Sequence, residues 1–422
     1  MTKPVTGLVL TGGGARAAYQ VGVLKAISRI RREAGIRGGN PFPIITGTSA
    51  GAINAAALAC YADHFDLAVQ GLAGIWQDFH AEQVYRADAF GVIRTGARWL
   101  TMLTAGWALA RWRRARPRSL LDNAPLSELL QRMLHLDRLK DVLRGGHLRA
   151  VAVTASSYTS GNHVTFYDAV DGLSPWTRSQ RLAVRDDIRV EHLLASSAIP
   201  FVFPAAQLSM RDGHGHTWPE WFGDGSMRQT APMSPAVHLG AERVVVIGAG
   251  RMQEPELRRS VDTAYPTLAQ VAGHALSNIF LDALAVDVER LQRINRTLAL
   301  LPAEARVAAS LRPIDVLLIA PSQRLDDLAA RHLGSLPVPV RSLLRGVGVG
   351  GQGPAAHGAA LASYLLFESP YTRELMALGE ADTQARRGEV ERFFGWVRRD
   401  GGLPHRADTL PAPAVPQAVG GD

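Results

Sequence analysis

The sequence predicts an α/β protein with a mainly parallel central sheet, and three observations support this. A short apolar segment followed by glycines and a helix-like stretch occurs twice within the first 60 residues. Three further apolar segments are separated by stretches long enough for the crossovers of a parallel sheet. The 422 residues are 47% hydrophobic and 20% charged, which is typical of a globular chain with a sizeable core.

The two repeated units define the start of the sheet. In the first unit, residues 7–11 form the apolar run, residues 12–14 are glycines and residues 15–31 have helical character. The second unit has its strand, turn and helix at 43–46, 47–51 and 52–59.

Later segments suggest how the rest of the chain is organised. We expect buried strands at 148–154, 243–247 and 314–320, and one long amphipathic helix over 265–298. The predicted organisation is a catalytic core over 5–250 with a helical insertion at about 92–146, a helical C-terminal extension over 251–400 that returns a strand to the same fold, and a disordered tail over 401–422.

Composition bounds the partners and the compartment. Lysine and arginine exceed aspartate and glutamate by 46 to 38, a net charge of +8 that favours an anionic partner such as an acidic lipid surface; a bias of the coding genome is the other reading. Cys60 is the only cysteine, so an internal disulfide is excluded. With no spanning segment and no signal-peptide pattern after Met1, we expect a cytoplasmic protein, peripheral on the inner membrane face.

An apolar stretch rich in tryptophan lies at residues 99–110 and is flanked by arginines. It is too short to span a bilayer. Trp99, Trp107 and Trp112 would suit an interfacial helix, with the arginines on lipid phosphates. A cap helix packed on the protein's own core fits the same residues, so both interpretations stay open.

Gly47-Thr48-Ser49-Ala50-Gly51 matches the nucleophile elbow G-x-S-x-G, with a strand before it and a helix after it. Small neighbours allow the strained turn that presents the Ser49 hydroxyl, and the following helix N-terminus points amides at developing negative charge. The pattern predicts Ser49 as a nucleophile rather than part of an ordinary strand-to-helix turn.

Gly12, Gly13 and Gly14, with Ala15 and Arg16 after them, form a helix start whose free amides can hold an anion. For acyl transfer the anion is the oxygen of the tetrahedral intermediate. Gly12, Gly14 and Ala17 also satisfy the dinucleotide fingerprint, which requires an acidic residue at the end of a second strand. Glu33 has the right spacing but lies in basic, helix-ending sequence, so this alternative is disfavoured.

Asp224 lies between two glycines directly after Trp221 and Phe222, where a buried chain end can turn a carboxylate inward; a surface Asp-Gly turn is the alternative. A histidine could complete a catalytic triad with Ser49, but a catalytic histidine is disfavoured. A metal site from Asp212, His214 and His216 lacks a further ligand. The candidate histidines are His163, His192, His214, His216 and His238.

Four motifs together resemble the patatin-like phospholipases, in order and layout, and the combination is more specific than any one of them. They are Gly-Gly-Gly-Ala-Arg at 12–16, Gly-Thr-Ser-Ala-Gly at 47–51, Ala-Ser-Ser-Ala-Ile-Pro-Phe-Val-Phe-Pro at 195–204 and Asp-Gly at 224–225. The chain looks like a bacterial member, and the resemblance spans most of residues 5–395. It implies a three-layer fold with helices on both faces of the sheet.

The resemblance also implies a chemistry. Ser49 corresponds to the nucleophile and Asp224 to the general base of a Ser-Asp dyad without histidine. Gly12, Gly13, Gly14 and Arg16 correspond to the oxyanion hole, Gly47, Thr48, Ala50 and Gly51 to the elbow, and Gly225 to the loop of the base. Ala17 and Ser226 depart from the family pattern, in which glycine is frequent at the first position and glycine or alanine at the second.

The expected function is therefore a lipid acyl hydrolase of the phospholipase A or lysophospholipase type. Its expected partners are a phospholipid or lysophospholipid and an anionic membrane surface. No metal, cofactor or nucleic acid is expected, and the oligomeric state stays open. A catalytically idle lipid-binding regulator is the alternative, against which the presence of both Ser49 and Asp224 argues.

Overall fold

The computed structural model describes residues 3–86, 119–211, 215–251, 265, 267–279, 283–308, 311–350 and 358–396. Its centre is a mixed but mostly parallel sheet of ten strands. The strands are β1 Thr6–Leu10, β2 Ile44–Thr48, β3 Ala150–Ser157, β4 His163–Ala169, β5 Thr177–Arg178, β6 Arg181–Arg185, β7 Ala206–Arg211, β8 Thr217–Asp224, β9 Arg243–Ile247 and β10 Asp315–Ile319.

Helices of the described residues flank this sheet. They are α1 Ala18–Glu33, α2 Ala50–Cys60, α3 Phe65–Gln77, α4 Ala124–Met133, α5 Arg138–Arg144, α6 Val190–Ser196, α7 Ser234–His238, α8 Leu268–Ser277, α9 Ala283–Leu300, α10 Ala303–Ala308, α11 Leu325–His332, α12 Val338–Gly346, α13 Ala359–Leu365, α14 Ser369–Ala385 and α15 Arg387–Phe394. The predicted fold class, α/β with a mainly parallel central sheet, is confirmed.

The strand order is β10-β9-β1-β2-β3-β4-β6-β5, and the first five strands run parallel to one another. These five are the strands that the sequence predicts, because strands buried on both faces read as uninterrupted apolar runs. The other five strands were not predicted. Among them, β7 and β8 form an antiparallel hairpin, and β8 also pairs with β3.

Hydrophobic side chains pack on both faces of the parallel strands. Leu8 and Leu10 of β1 belong to one cluster, whereas Val9 belongs to the other. Successive side chains of a strand point to opposite faces, so a single strand contributes to both clusters. This alternation explains why helices pack on both faces of the sheet, as predicted.

The C-terminal third packs against the N-terminal half. Strand β10 pairs in parallel with β9, and α14 packs along α1. A Cβ built on Gly22 of α1 would lie 2.0 Å from the Met376 carbonyl oxygen, so the two helices approach closely at this glycine. The stretch predicted as one helix over 265–298 consists of α8 and α9, and residues 280–282 between them lie outside the described residues.

Other predictions fall partly or wholly outside the described residues. The tryptophan-rich segment at 99–110 and the tail at 401–422 are among them. Of the insertion predicted at about 92–146, the structure describes residues 119–146, which hold α4 and α5. Within the described part of the chain, none of the helices has the length and apolarity needed to cross a membrane.

Candidate active site

The Ser49 turn connects β2 to α2. Ser49 has φ 57° and ψ −132°, a strained conformation for a residue with a side chain. A Cβ on Gly47 would lie 2.4 Å from the Gly51 carbonyl oxygen, and a Cβ on Gly51 would lie 2.4 Å from the Leu10 carbonyl oxygen. The turn therefore requires glycine on both sides of Ser49, as the elbow pattern predicts.

Ser49 and Asp224 lie side by side although 175 positions separate them. The Ser49 hydroxyl donates a hydrogen bond to Asp224 Oδ2, and the oxygen atoms are 2.5 Å apart. Strand β3 explains the encounter: Thr48 at the end of β2 is paired with Thr154, and Asp224 at the end of β8 is paired with the next residue, Ala155. The two site residues are thus placed by consecutive positions of one strand.

Asp224 is fully buried, and burial raises the pKa of its carboxyl group to about 6. The hydrogen bond from Ser49 and one of 2.8 Å from the Ser226 backbone N–H to Oδ1 act in the opposite direction. Phe222, on the same face of β8, is buried, whereas Trp221 is 44% exposed. Of the two aromatic residues, only Phe222 is therefore buried on the face of β8 that carries Asp224.

The loop that carries Asp224 is bound to the end of α6. The Asp224 N–H donates to the Ala198 carbonyl at 2.9 Å, and the Gly225 N–H donates to the Ser196 carbonyl at 3.1 Å. A Cβ on Gly225 would lie 1.8 Å from the Thr154 carbonyl oxygen, so only glycine fits there. These contacts hold the carboxylate toward Ser49.

Ser196 is a site residue to which the sequence analysis assigned no role. Its hydroxyl accepts a hydrogen bond of 2.8 Å from the Ser49 N–H and donates one of 2.6 Å to the Thr154 carbonyl. The residue is fully buried. Its signal was present in the motif at 195–204, but the motif does not show which atom the hydroxyl contacts.

The glycine turn after β1 presents unbonded amides. The backbone N–H groups of Gly12 and Gly13 bond to no acceptor among the residues that the structure describes, although both residues are buried. Gly14 has φ +55°, and a Cβ there would lie 2.3 Å from the Tyr364 carbonyl oxygen. Because β1 and β2 are parallel neighbours, with Leu10 opposite Gly47, this turn and the Ser49 turn follow the carboxyl ends of adjacent strands.

Arg16 is oriented toward the C-terminal helices. Its backbone N–H donates to the Gly13 carbonyl at 3.1 Å. Its buried guanidinium donates to Ser363 Oγ at 2.7 Å, pairs with Asp326 and lies 3.9 Å over the Tyr364 ring. The structure therefore gives Arg16 contacts that bind the glycine turn to α11 and α13.

A buried polar network joins the two turns. The Gln20 amide donates to the Thr11 carbonyl at 2.7 Å, and the Asn54 amide donates to Gln20 Oε1 at 3.1 Å and to the Ala17 carbonyl at 3.2 Å. The Trp76 indole donates to Asn54 Oδ1 at 2.9 Å. Helices α1, α2 and α3 are thereby held in one arrangement around the site.

An apolar cavity, here called the inner cavity, opens beside Ser49 and Gly14. Its volume is about 60 Å³, and α2, α3 and α4 supply much of its wall. Typical lining residues are Ile53, Trp76, Leu130 and Phe203. Ser49 therefore lies at the wall of a space that suits hydrocarbon rather than a polar group.

The sequence matches the model of one protein family. The patatin-like phospholipase model matches residues 8–237, more than half of the 422 residues. The chain belongs to the patatin-like phospholipase family. The resemblance of the four motifs is thus confirmed at the level of the family, and membership supports a lipid hydrolase activity. A search of curated proteins found no match.

Two solved structures illustrate how distant the similar structures are. VipD from Legionella pneumophila is 13% identical, with a TM-score of 0.29, over 89% of this chain and 67% of that chain. Human GIVD cytosolic phospholipase A2 is 12% identical, with a TM-score of 0.43, over 93% of this chain and 60% of that chain. This patatin-like chain thus spans about 60% of the human chain.

The two departures from the family motif lie against the site. Ala17 is fully buried, and its carbonyl accepts the hydrogen bond from Asn54. The backbone N–H of Ser226 donates a hydrogen bond to the Asp224 carboxylate. Each of these contacts uses main-chain atoms of the departing residue.

The dinucleotide reading of the glycine turn finds no support. Glu33, which would have to follow a second strand, is the last residue of α1 and pairs with Arg387. Glu33 therefore does not follow a second strand, which is the position that contact with a ribose hydroxyl would require.

Histidines of the described residues do not contact the hydroxyl of Ser49 or the carboxylate of Asp224. His163 contacts the residue after Asp224 instead: its Nε2 lies 2.8 Å from the Gly225 carbonyl oxygen. Burial lowers the pKa of His163 and of His192 to about 4. Among the described residues no cluster of three potential metal ligands occurs, and His214 lies outside them.

Proposed function

We propose that the protein is a lipid acyl hydrolase that cleaves the carboxylic ester of a phospholipid or lysophospholipid through a Ser49-Asp224 dyad. The observation that carries the proposal is the hydrogen bond from the Ser49 hydroxyl to the buried Asp224 carboxylate, beside an apolar cavity. A nucleophile, a base and an apolar space beside them are the parts that hydrolysis of a fatty acyl ester requires.

The reaction begins when Ser49 Oγ attacks the ester carbonyl and its proton passes to Asp224 Oδ2. The protonated carboxyl group then gives that proton to the departing alcohol, and an acyl-enzyme on Ser49 remains. Water next attacks the acyl carbon while Asp224 takes a proton from it. Asp224 then gives this proton to Ser49 Oγ as the bond between Oγ and the acyl carbon breaks, which releases the fatty acid and regenerates the serine. A raised pKa makes Asp224 a better base than a free aspartate, whose pKa is about 3.9.

The glycine turn stabilises the oxyanion in this scheme. The unbonded N–H groups of Gly12 and Gly13 are buried donors, and buried donors without an acceptor are costly unless a ligand accepts from them. A donor aimed at the oxyanion accelerates such a reaction by about a hundredfold to a thousandfold. We assign Arg16 to positioning this turn, because its own N–H is bonded to Gly13 and its side chain to α11 and α13.

The second part of the proposal is that the enzyme works at an anionic membrane surface. The chain carries a net charge of +8, and Phe201, between the cavity-lining Ile199 and Phe203, is 74% exposed with φ +66°. An exposed aromatic ring near the substrate cavity suits contact with lipid, and the positive charge attracts acidic headgroups. We expect binding to vesicles that rises with the fraction of anionic lipid and falls with salt; binding insensitive to both would contradict this part.

The dyad is tested by comparing the wild type with Ser49→Ala and Asp224→Asn in hydrolysis of a fatty acyl ester, with a serine-reactive fluorophosphonate probe alongside. We expect both variants to lose activity by at least a thousandfold and the probe to label the wild type but not Ser49→Ala. Ser28→Ala is the control, because it also removes a buried hydroxyl, one that donates to Asp66 on α3. Hydrolysis that survives Ser49→Ala or Asp224→Asn would refute the dyad.

A further inference from the structure

A larger space, here called the outer chamber, adjoins the inner cavity. The outer chamber has a volume of about 580 Å³, against about 60 Å³ for the inner cavity. Both spaces share a ring of five lining residues. These ring residues are Ala57, Leu72, Ile75, Met133 and Leu134.

Helix α2 runs beside both spaces, starting from Ser49. Ile53 lines the inner cavity, Ala57 lines both spaces, and Tyr61, directly after the helix, lines the outer chamber. These positions are four residues apart and therefore share one face of the helix. Ala57 follows Ser49 by eight residues, which places the ring about 12 Å along the helix from the nucleophile.

This length sets how many carbons of an acyl chain lie between Ser49 and the ring. An extended hydrocarbon chain with C–C bonds of about 1.5 Å advances about 1.25 Å per carbon, so roughly ten carbons reach from Ser49 to the ring. By the usual allowance of about 10–15 Å³ for one water-sized sphere, the inner cavity of about 60 Å³ holds only about four to six such spheres, so it cannot by itself enclose the roughly ten carbons that span this distance. A longer chain must therefore pass the ring.

We propose that the outer chamber binds the distal part of the acyl chain, and that the ring at Ala57 and Met133 determines chain-length preference. The substrate class would then be esters of unbranched fatty acids longer than about ten carbons. The inference rests on the proposed function, because it places the ester carbon at Ser49.

The walls of the outer chamber fit this occupant. Leu67, Ala68 and Gly71 of α3 form an apolar side. The chamber is also lined by His64, Arg132, His135 and Arg138. Arg138 is paired with Asp63 at 2.7 Å, and its guanidinium lies 4.4 Å over the Tyr61 ring. Because that charge is already compensated, the methyl end of a chain can lie along α3 without displacing an ion pair.

Two glycines of α3 allow a matched test. A Cβ on Gly71 or on Gly74 would meet no atom within 4 Å, and both residues are exposed helical positions. Gly71 lines the outer chamber, whereas Gly74 lines neither the chamber nor the inner cavity. Gly71→Leu therefore adds four carbons to the chamber, and Gly74→Leu adds the same atoms outside it. Leucine also has a higher helix propensity than glycine, so both variants should fold.

The first measurement is the hydrolysis of p-nitrophenyl esters of C4 to C16 fatty acids. Each methylene removed from an apolar site costs about fourfold in binding, so we expect Gly71→Leu to lower kcat/KM at least tenfold for C14 and C16 esters while C4 to C8 esters are unaffected. Gly74→Leu should keep the wild-type profile. A wild-type profile in Gly71→Leu would overturn the proposal.

The second measurement does not depend on catalysis. Binding of a fluorescent C16 fatty acid is measured in the Ser49→Ala background, with and without Gly71→Leu or Gly74→Leu. We expect only Gly71→Leu to weaken binding, by at least tenfold. If no ester is hydrolysed but Gly71→Leu still weakens binding, the proposed function fails and the chamber assignment stands. Equal affinities in the two glycine variants would refute the chamber.

Discussion

The hydroxyl of Ser196 accepts a hydrogen bond of 2.8 Å from the backbone N–H of Ser49. The same hydroxyl donates to the Thr154 carbonyl of β3, so one side chain connects the strained turn to the sheet. A strained backbone conformation persists only where its surroundings over-determine it. Ser196 is therefore as much part of the candidate site as the two residues of the proposed dyad.

Ser196→Ala should reduce both activity and stability. The substitution leaves the buried Ser49 N–H without its acceptor and the Thr154 carbonyl without one of its donors, at a cost of about 1–3 kcal/mol. We expect the rate of fluorophosphonate labelling to fall by at least tenfold, because the Ser49 turn is less well held. Ser28→Ala should lower the melting temperature without slowing labelling. Wild-type labelling in Ser196→Ala would show that the hydrogen bond does not position the nucleophile.

The raised pKa of Asp224 predicts the pH dependence of catalysis. The carboxylate must be ionised to accept the proton of Ser49, and burial raises its pKa to about 6. We expect kcat/KM for a short soluble ester to rise with pH by up to tenfold per unit below about 6 and to level off above it. A pH-rate profile measured from pH 4.5 to 8 checks this. A rising limb centred near pH 4 would mean that the general base is a carboxylate whose pKa is not raised.

Asp224→Asn should stabilise the folded protein at neutral pH while it abolishes activity. The folded-state pKa of about 6 lies above the model value of 3.8, so the native protein binds more protons than the unfolded chain between these values, and stability falls as pH rises through that window. At pH 8 the ionised carboxylate therefore costs on the order of 1–3 kcal/mol, which asparagine removes.

Chemical denaturation of the wild type and Asp224→Asn at pH 8 and pH 4 provides the measurement. The gain in the free energy of unfolding should be present at pH 8 and shrink toward pH 4, where the wild-type carboxyl group is also protonated. A gain independent of pH would indicate a packing effect instead.

Gly14→Ala tests whether the close approach of Tyr364 shapes the glycine turn. Gly14 and Gly35 both have positive φ, +55° and +77°, but only at Gly14 does an added Cβ meet the chain, 2.3 Å from the Tyr364 carbonyl oxygen. Gly35→Ala should cost only the backbone strain of about 1 kcal/mol and leave activity unchanged. Gly14→Ala should cost more and lower kcat. Equal effects of the two substitutions on melting temperature and kcat would argue against the close approach.

Arg16→Met tests the link between the glycine turn and the C-terminal helices. The substitution removes the ion pair to Asp326 and the hydrogen bond to Ser363, and we expect a loss of about 2–4 kcal/mol in unfolding free energy together with slower labelling of Ser49. Arg86→Met is the comparison, because its partner Asp122 and Arg86 itself are both more than half exposed. Its loss should stay below about 1 kcal/mol. A comparably small loss in Arg16→Met would remove the proposed positioning role.

Local sequence patterns were sufficient for the parallel strands and for both turns. Apolar runs, glycine spacing and helix starts are properties of neighbouring residues. Elements such as the strand at 243–247 and the turns at Gly12 and Ser49 could therefore be predicted one segment at a time. Strands β4 to β8 were missed, since several of them are short or alternate exposed with buried positions.

Tertiary pairing decided the rest of the site. Asp224 reaches Ser49 because β8 pairs with β3 one position beyond the point where β2 ends, and such a register between distant segments is not encoded in any local period. The same holds for the Ser196 hydroxyl and for the burial of Arg16 under the C-terminal helices. The chain sequence therefore names the reactive groups, and the packing of remote segments brings them to one place, because hydrogen-bonding distance depends on the whole fold.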